Sequence, residues 1–330
     1  MKIAFTFEVR RSDAEQEAEF CASADIEDIT RALTKAGHEV THINVLAPAF
    51  EWIRALEKAA PDLIFNHAEG SHGRSREAFF PALFEALGIP YTGSDGHTFM
   101  LTLDKWLTKE SLAPYDIPFP KHILVTPESH SQAFARAREL RFPVIVKPNF
   151  EGSSKGICDD NVIFSPRDLQ AALERVLLAY PAGVIVEEFI AGTDVAVAYL
   201  EAAPNGGILA PFEYEYDAGY QSRFNLYDFR LKGDDYERVQ IRCPAALSEA
   251  QSARICDLAA RIFHLLRVRD VGRIDFRLSD DGDIYFLEIN PQPALTNGAG
   301  LFVAAQRVGF SYDDTIAAIA TSAARRFALT

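Results

Sequence analysis

The apolar run Val144-Ile-Val-Lys147 is followed, four residues on, by Gly152-Ser-Ser-Lys-Gly156. A lysine closing an otherwise buried strand needs an anionic partner. Gly152 and Gly156 permit positive φ, and successive N–H groups in such a turn converge on an anion. Ser153 and Ser154 add hydroxyl donors, so the segment reads as a loop that holds phosphate. An ordinary flexible turn would have no use for Lys147. The same five residues fit G-x-S-x-G, the mark of a serine nucleophile on a strand–turn–helix elbow. That reading fails. Five residues separate Lys147 from Ser153, Ile157-Cys-Asp-Asp-Asn161 is a poor helix start, and the only later histidine, His264, lies inside an amphipathic pattern. A Walker loop is excluded too, because no Gly-Lys-Ser or Gly-Lys-Thr follows the glycines.

A second stretch supplies oxygen ligands. Gly272-Arg-Ile-Asp-Phe-Arg-Leu278 and Ile284-Tyr-Phe-Leu-Glu-Ile-Asn290 flank the turn Asp281-Gly282, a strong hairpin signal. Side chains alternate along a strand, so Arg273 and Asp275 share one face, as do Glu288 and Asn290. If those faces coincide, Asp275, Glu288 and Asn290 converge. Hard oxygen donors without histidine or cysteine suit Mg²⁺ held jointly with phosphate, and not zinc. A solvated polar face is the alternative. Carboxylates on both strands, with Ile274, Phe276, Leu287 and Ile289 on the other faces, favour the metal.

The chain that must position these groups has 330 residues, 48% of them apolar, enough for two or three domains. A net charge of −14 with no basic run excludes a nucleic-acid partner, but not a phosphate held by local lysines. Cys21, Cys158, Cys243 and Cys256 form no C-x-x-C pair, which points to a reduced, cytoplasmic setting. MKIAFTFEVRR is too short for a signal peptide, and no apolar run reaches membrane-spanning length.

Strands over 2–7, 40–45 and 62–66 alternate with helices over 26–36, 50–59 and 74–87, predicting an open parallel α/β sheet over residues 1–94. A second domain, 95–188, opens with one helix over 97–112 and continues with strands over 122–125, 144–147 and 184–188. A third, 189–330, holds strands over 195–201 and 208–213 and a polar loop over 217–237. A long helix over 248–266, the hairpin above and two terminal helices complete it.

Taken in order, Lys105 in an Asp-Lys helix, VIVKPNFEGSSKG, VIVEEFIAGTDV and GRIDF…FLEIN resemble the ATP-grasp superfamily, and within it the D-alanine–D-alanine ligase family. LGIPYTGS is similar to that family as well, and the likeness keeps its order over most of residues 60–315. The resemblance implies a three-domain ATP-grasp fold and an ADP-forming ligase that makes an amide through an acyl phosphate. Its cofactors would be ATP and two Mg²⁺ ions, with Mn²⁺ as a substitute. Its partners would be a small carboxylate and a small amine, and the resemblance admits a homodimer. It places Lys105 and Lys147 on the ATP phosphates, Glu187, Glu188, Phe189 and Ile190 around adenine, and Asp194 on the ribose. Ser153 and Ser154 would close over the phosphates, and Lys232 would reach the γ-phosphate from the 217–237 loop. Asp275, Glu288 and Asn290 would hold the metal, and Arg273 would stabilise the reacting carboxylate and its adduct.

The substrate end departs from the family. Ala294 stands where a glycine is usual, Ala299 near a usual serine, and Gly233 where a tyrosine commonly follows the loop lysine. The glycine-rich segment near the first substrate reads FNHAEGSHGRSRE. For the carboxylate that takes a substrate amino group, Glu15 is the first candidate and Glu19 the second, with a solvated helix charge as the alternative for both. These departures point away from D-alanyl-D-alanine and towards a different amino acid, peptide or amine. The alternatives are a genuine D-alanine–D-alanine ligase and an ATP-grasp nucleotide-binding or kinase protein without ligase turnover.

Overall fold

A computed structural model describes residues 1–217, 224 and 238–329. Lys232, Gly233 and the greater part of the 217–237 loop lie outside the described residues.

Three sheets organise the described residues. The first comprises β1 (Lys2–Phe7), β2 (Glu39–Asn44) and β3 (Leu63–Asn66), parallel and in the order β2-β1-β3. Ile3, Phe5, Phe7, Leu63 and Phe65 are buried there, as near-continuous apolar strands covered by helices require. The second comprises β4 (His122–Val125), β5 (Val144–Pro148), β6 (Val162–Ile163) and β7 (Val184–Glu188), in the order β4-β7-β5-β6 with antiparallel neighbours. The third comprises β8 (Gly192–Leu200), β9 (Phe212–Tyr216), β10 (Val239–Arg242), β11 (Val271–Ser279) and β12 (Ile284–Asn290), in the order β10-β9-β8-β11-β12. Cores do not divide where the sheets do. Ile3, Phe5 and Ile29 of the N-terminal part share one apolar cluster with Phe302, Ile316 and Ile319 from the last two helices, tying the chain's ends together.

Two expectations fail locally. The helix over 97–112 is two helices, Gly96–Leu103 and Lys105–Leu112, broken at Asp104. Asp104 is extended, and its carboxylate caps the second helix by accepting from the Leu107 N–H at 3.0 Å. Asn149, fully buried, holds the break in place: it donates to Asp104 at 2.7 Å and accepts from the Trp106 N–H at 2.9 Å. The end of β5 thereby fixes where Lys105 starts its helix. The strand over 208–213 begins instead at Phe212, with only a single bridge between Ile208 and Tyr199. Pro211 has no N–H for a ladder, so continuous pairing starts after it.

Candidate functional site

The hairpin of β11 and β12 sets the floor. Its register pairs Arg273 with Asn290 and Asp275 with Glu288, so the two faces read as coincident from the sequence do coincide. Between Asp275 and Phe276 the register slips, leaving Leu287 without a partner across the hairpin. A bulge of this kind frees backbone groups, and the Leu287 carbonyl accepts from Lys109 Nζ at 2.6 Å. Arg273 makes a two-point ion pair with Asp275, 2.8 and 2.9 Å. Lys105 Nζ lies 3.2 Å from the Glu288 carboxylate. Burial pushes the Glu288 acid up, but Lys105, Lys147 and Arg273 outweigh it and hold it at about 2. Glu288 is therefore a carboxylate at any physiological pH. With Asp275 opposite and Asn290 two residues along, this is a set of hard oxygens on one sheet face, and the set fits Mg²⁺.

Beneath the hairpin sits an ion triad that the sequence did not show. Glu187, 1% exposed, lies between Lys109 at 2.7 Å and Lys147. Burial alone would raise its pKa, yet the two lysines keep it at about 2. The same burial pulls Lys109 down to about 8 against the attraction of Glu187. Lys147 thus finds its anion inside the protein. Glu188 points elsewhere and accepts from the Arg141 N–H at 3.0 Å. Asp194 is paired with Arg277 at 2.7 Å, and Arg277 also donates to the Ile190 carbonyl at 3.0 Å and lies 5.6 Å from the Phe189 ring. Nothing in the sequence singled out Arg277 or Lys109. A lysine or arginine inside an apolar segment was the available signal.

The serine loop is neither a strand–turn–helix elbow nor built quite as expected. After it comes only the 3₁₀ turn Asp159–Asn161. Positive φ falls on Ser153 (51°), Ser154 (59°) and Gly156 (68°), and not on Gly152. Gly152 is required for a different reason: a Cβ there would run into the Glu19 carboxylate. Glu15 and Glu19 are not solvated charges. The Glu15 carboxylate accepts from the Gly156 N–H at 2.6 Å, and the Glu19 side chain, 5% exposed, pairs with Lys155 at 2.7 Å and Arg76 at 3.2 Å. Arg76 Nη1 also donates to the Phe150 carbonyl at 2.7 Å. The loop is thus held down by the N-terminal third of the chain.

Two adjoining cavities collect the expected residues. A cleft of about 920 Å³, counted to its open mouth, is lined by Lys147, Ser154, Glu187, Glu188, Phe189, Ile190, Asp194 and Asp275. A smaller one of about 480 Å³ is lined by Lys105, Ser153, Asn290 and the acidic side chains Glu19, Glu69 and Glu77. Arg273 and Glu288 line both. Among the described residues these spaces collect every residue expected on nucleotide, metal or reacting carboxylate, whereas Glu15, the first candidate for a substrate amino group, lines neither and Glu19, the second, lines the smaller. Glu69, Arg76, Glu77 and Lys155 were not singled out, although the altered segment FNHAEGSHGRSRE contains the first three.

Residues 112–321 match the family model described as D-ala D-ala ligase C-terminus. The chain belongs to the D-alanine–D-alanine ligase family. A D-alanine–D-alanine ligase of Pseudomonas putida is 32% identical over 306 residues, 93% of this chain and 88% of the relative. The fold matches a D-alanine–D-alanine ligase from Bacillus anthracis solved with ATP, with a TM-score of 0.78, 20% identity and coverage of 99% and 98% of the two chains. It also matches the VanG D-Ala:D-Ser ligase from Enterococcus faecalis, with a TM-score of 0.75, 20% identity and coverage of 98% and 99%. The fold is ATP-grasp, and the chain is an ADP-forming carbon–nitrogen ligase of a family that uses ATP and Mg²⁺ and acts on small molecules. Among the described residues no helix is long and apolar enough to cross a membrane.

The buried acids beside the smaller cavity carry a pH signature. Burial raises Glu8 to about 7 despite N–H groups donated by Glu69 and Gly70, and it raises Glu77 to about 7 despite Arg76. Both ordinarily sit at 4.5. Between those values the folded protein holds protons that the unfolded chain has released, so stability rises as pH falls from 7.5 towards 5. Glu187 and Glu288 act oppositely, but only below their ordinary 4.5, while His38 and His67, which burial pulls below their usual 6.5, take back part of the gain under that pH. The melting temperature without ligands should rise by about 2–4 °C between pH 7.5 and 5.5. A flat or falling profile would show that these acids are not buried and protonated together.

Proposed function

We propose that this ligase joins a carboxylate to an amine through an acyl phosphate, with a substrate other than D-alanine on at least one side. The observation that carries the reading is the meeting of the two cavities at Arg273 and Glu288. The larger takes ATP. Phe189 and Ile190 border the base, Asp194 the ribose, and Lys147 and Ser154 the phosphates. The smaller takes the carboxylate substrate, with Lys105 and Ser153 at the phosphate end. Asp275, Glu288 and Asn290 would hold two Mg²⁺ ions, or Mn²⁺ in their place, and the metal would supply positive charge to offset that of the transferring phosphoryl group. Lys232 reaches the γ-phosphate from its loop.

A carboxylate is a poor electrophile because its leaving oxygen is too basic. Transfer of the γ-phosphoryl group to that oxygen releases ADP and leaves an acyl phosphate. The amine nitrogen then attacks the acyl carbon, the oxyanion of the adduct rests on Arg273, and phosphate departs as the nitrogen loses its proton. No protein nucleophile is needed; positioning and neutralisation supply the rate. The altered 66–77 segment, with acids where the substrate is to bind, supports a substrate different from that of the curated relatives. Four unpaired cysteines accord with a cytoplasmic enzyme.

Release of ADP that requires both a carboxylate and an amine tests the reading. ADP release with a carboxylate alone, leaving a stable phosphorylated product, would make the protein a kinase. Ser154→Ala should weaken ATP use by about 1–2 kcal/mol, one hydrogen bond to a charged group. Gly152→Val should do worse, since its side chain displaces Glu19 from Arg76 and Lys155. Labelling of Ser154 by a fluorophosphonate, with hydrolysis that needs no ATP, would sink the ligase reading.

A further inference from the structure

The wall of the smaller cavity is short of positive charge. Glu19, Glu69 and Glu77 each present an oxygen, all within 4.8 Å of one another, and Glu151 lines the same cavity. Among the described residues only Arg76 and Lys155 pair with them, since Lys105 and Arg273, which line the same cavity, pair with Glu288 and Asp275. Arg76 Nη2 lies 3.2 Å from Glu19, 3.4 Å from Glu77 and 3.6 Å from Glu151, and Lys155 Nζ lies 2.7 Å from Glu19 and 2.5 Å from Glu151. Four acidic side chains thus face two cations, and burial holds the Glu69 and Glu77 acids above their ordinary range until a cation reaches them. The shortfall is sharpest at Glu69, 8% exposed, whose carboxylate has no hydrogen-bond or ion-pair partner among the described residues. Its backbone is clamped, because Glu8 accepts from the N–H groups of Glu69 and Gly70 at 3.1 and 2.9 Å. A buried carboxylate held without a partner costs several kcal/mol unless a cation or proton joins it.

We propose that this wall recognises a second ammonium group on the carboxylate substrate, which is therefore a diamino acid. The inference rests on the ligase reading. An α-ammonium supplies one positive charge, whereas two wall carboxylates are unmatched; a side-chain ammonium supplies the second. An ammonium donates three directional hydrogen bonds of about 2.8 Å and so spans oxygens up to roughly 4.6 Å apart, the scale of this cluster. A divalent metal fits less well. Bridging Glu19 and Glu77, it would sit against the Arg76 guanidinium, a fixed cation that already contacts both.

The test compares lysine and ornithine with norleucine and norvaline, which keep the carbon chain and lack the second ammonium, in both chiralities. ATP, Mg²⁺ and a panel of amines are present, and phosphate release is measured. Calorimetric binding to the ADP–Mg²⁺ form gives a readout independent of turnover. A diamino acid should be used with kcat/KM at least tenfold above its hydrocarbon counterpart and should bind more tightly. Glu69→Gln, the same size without the charge, should bring both ratios close to one without lowering the melting temperature, and Glu77→Gln should reduce them. Turnover that favours norleucine or norvaline overturns this proposal and leaves the ligase reading standing. Glu69-dependent binding of a diamino acid with no phosphate release from any pair keeps the site and removes the ligase reading. Binding of neither class overturns the proposal. So does a Mn²⁺ site that Glu69→Gln abolishes while diamino-acid binding is unchanged.

Discussion

Glu288→Gln should lower Mg²⁺-dependent ATP turnover by at least about a hundredfold, roughly 3 kcal/mol of transition-state stabilisation, without unfolding the chain. Glu288 is ionised at any working pH, lies across the hairpin from Asp275 and lines both cavities. Glutamine keeps the size and one oxygen but removes the charge that the metal needs. Lys105 keeps a second acceptor, the Glu151 carbonyl, so the loss does not strand a buried cation. The Glu288 side chain is 32% exposed, which limits the structural cost. Asn290→Ala should act in the same direction, with a further stability loss of about 1 kcal/mol because the Gln292 N–H loses its acceptor. Turnover like that of the unaltered chain in both variants, with unchanged melting, would place the metal elsewhere.

Glu187→Gln should have the larger effect on stability. It leaves Lys109, completely buried, and Lys147, 7% exposed, without their shared anion. Removing one partner of a buried ion set costs about 3–5 kcal/mol, or about 4–7 °C in melting temperature for a chain of this length. Glu188→Gln is the control one residue away. Its partner Arg141 is 69% exposed on its side chain, and such a pair is worth about 0–1 kcal/mol. Equal shifts in the two variants would mean that the triad contributes nothing special. ATP binding should weaken in Glu187→Gln as well, because Lys147 lines the larger cavity and its position depends on Glu187.

The contrast between Glu187 and Glu188 shows how far one dimension reaches. Period-two alternation put Arg273 with Asp275 and Glu288 with Asn290, and the hairpin turn paired the faces, because strand geometry and turn chemistry are local rules. The same locality made the parallel N-terminal strands legible, and Lys147 as a lysine that must meet an anion. Local rules could not say which anion. Glu187 answers Lys147 only because β7 lies beside β5, and Lys109 reaches Glu187 from its helix while donating to the Leu287 carbonyl at the bulge in β12. Nor could they break the helix at Asp104, which takes a buried Asn149 arriving from another element. Glycines in the serine loop suggested positive φ, yet the strained conformations fell on Ser153 and Ser154, while Gly152 is small because Glu19 crosses the chain to meet Arg76 and Lys155. By itself the sequence determined the family, the fold class and many of the groups that face the two cavities, though not Glu69 or Glu77, since motif order and strand period reach no further. Only the tertiary structure decided how those charges are balanced. An ion's energy depends on every group within a few ångströms, and at Glu69 folding gathered more carboxylates than cations.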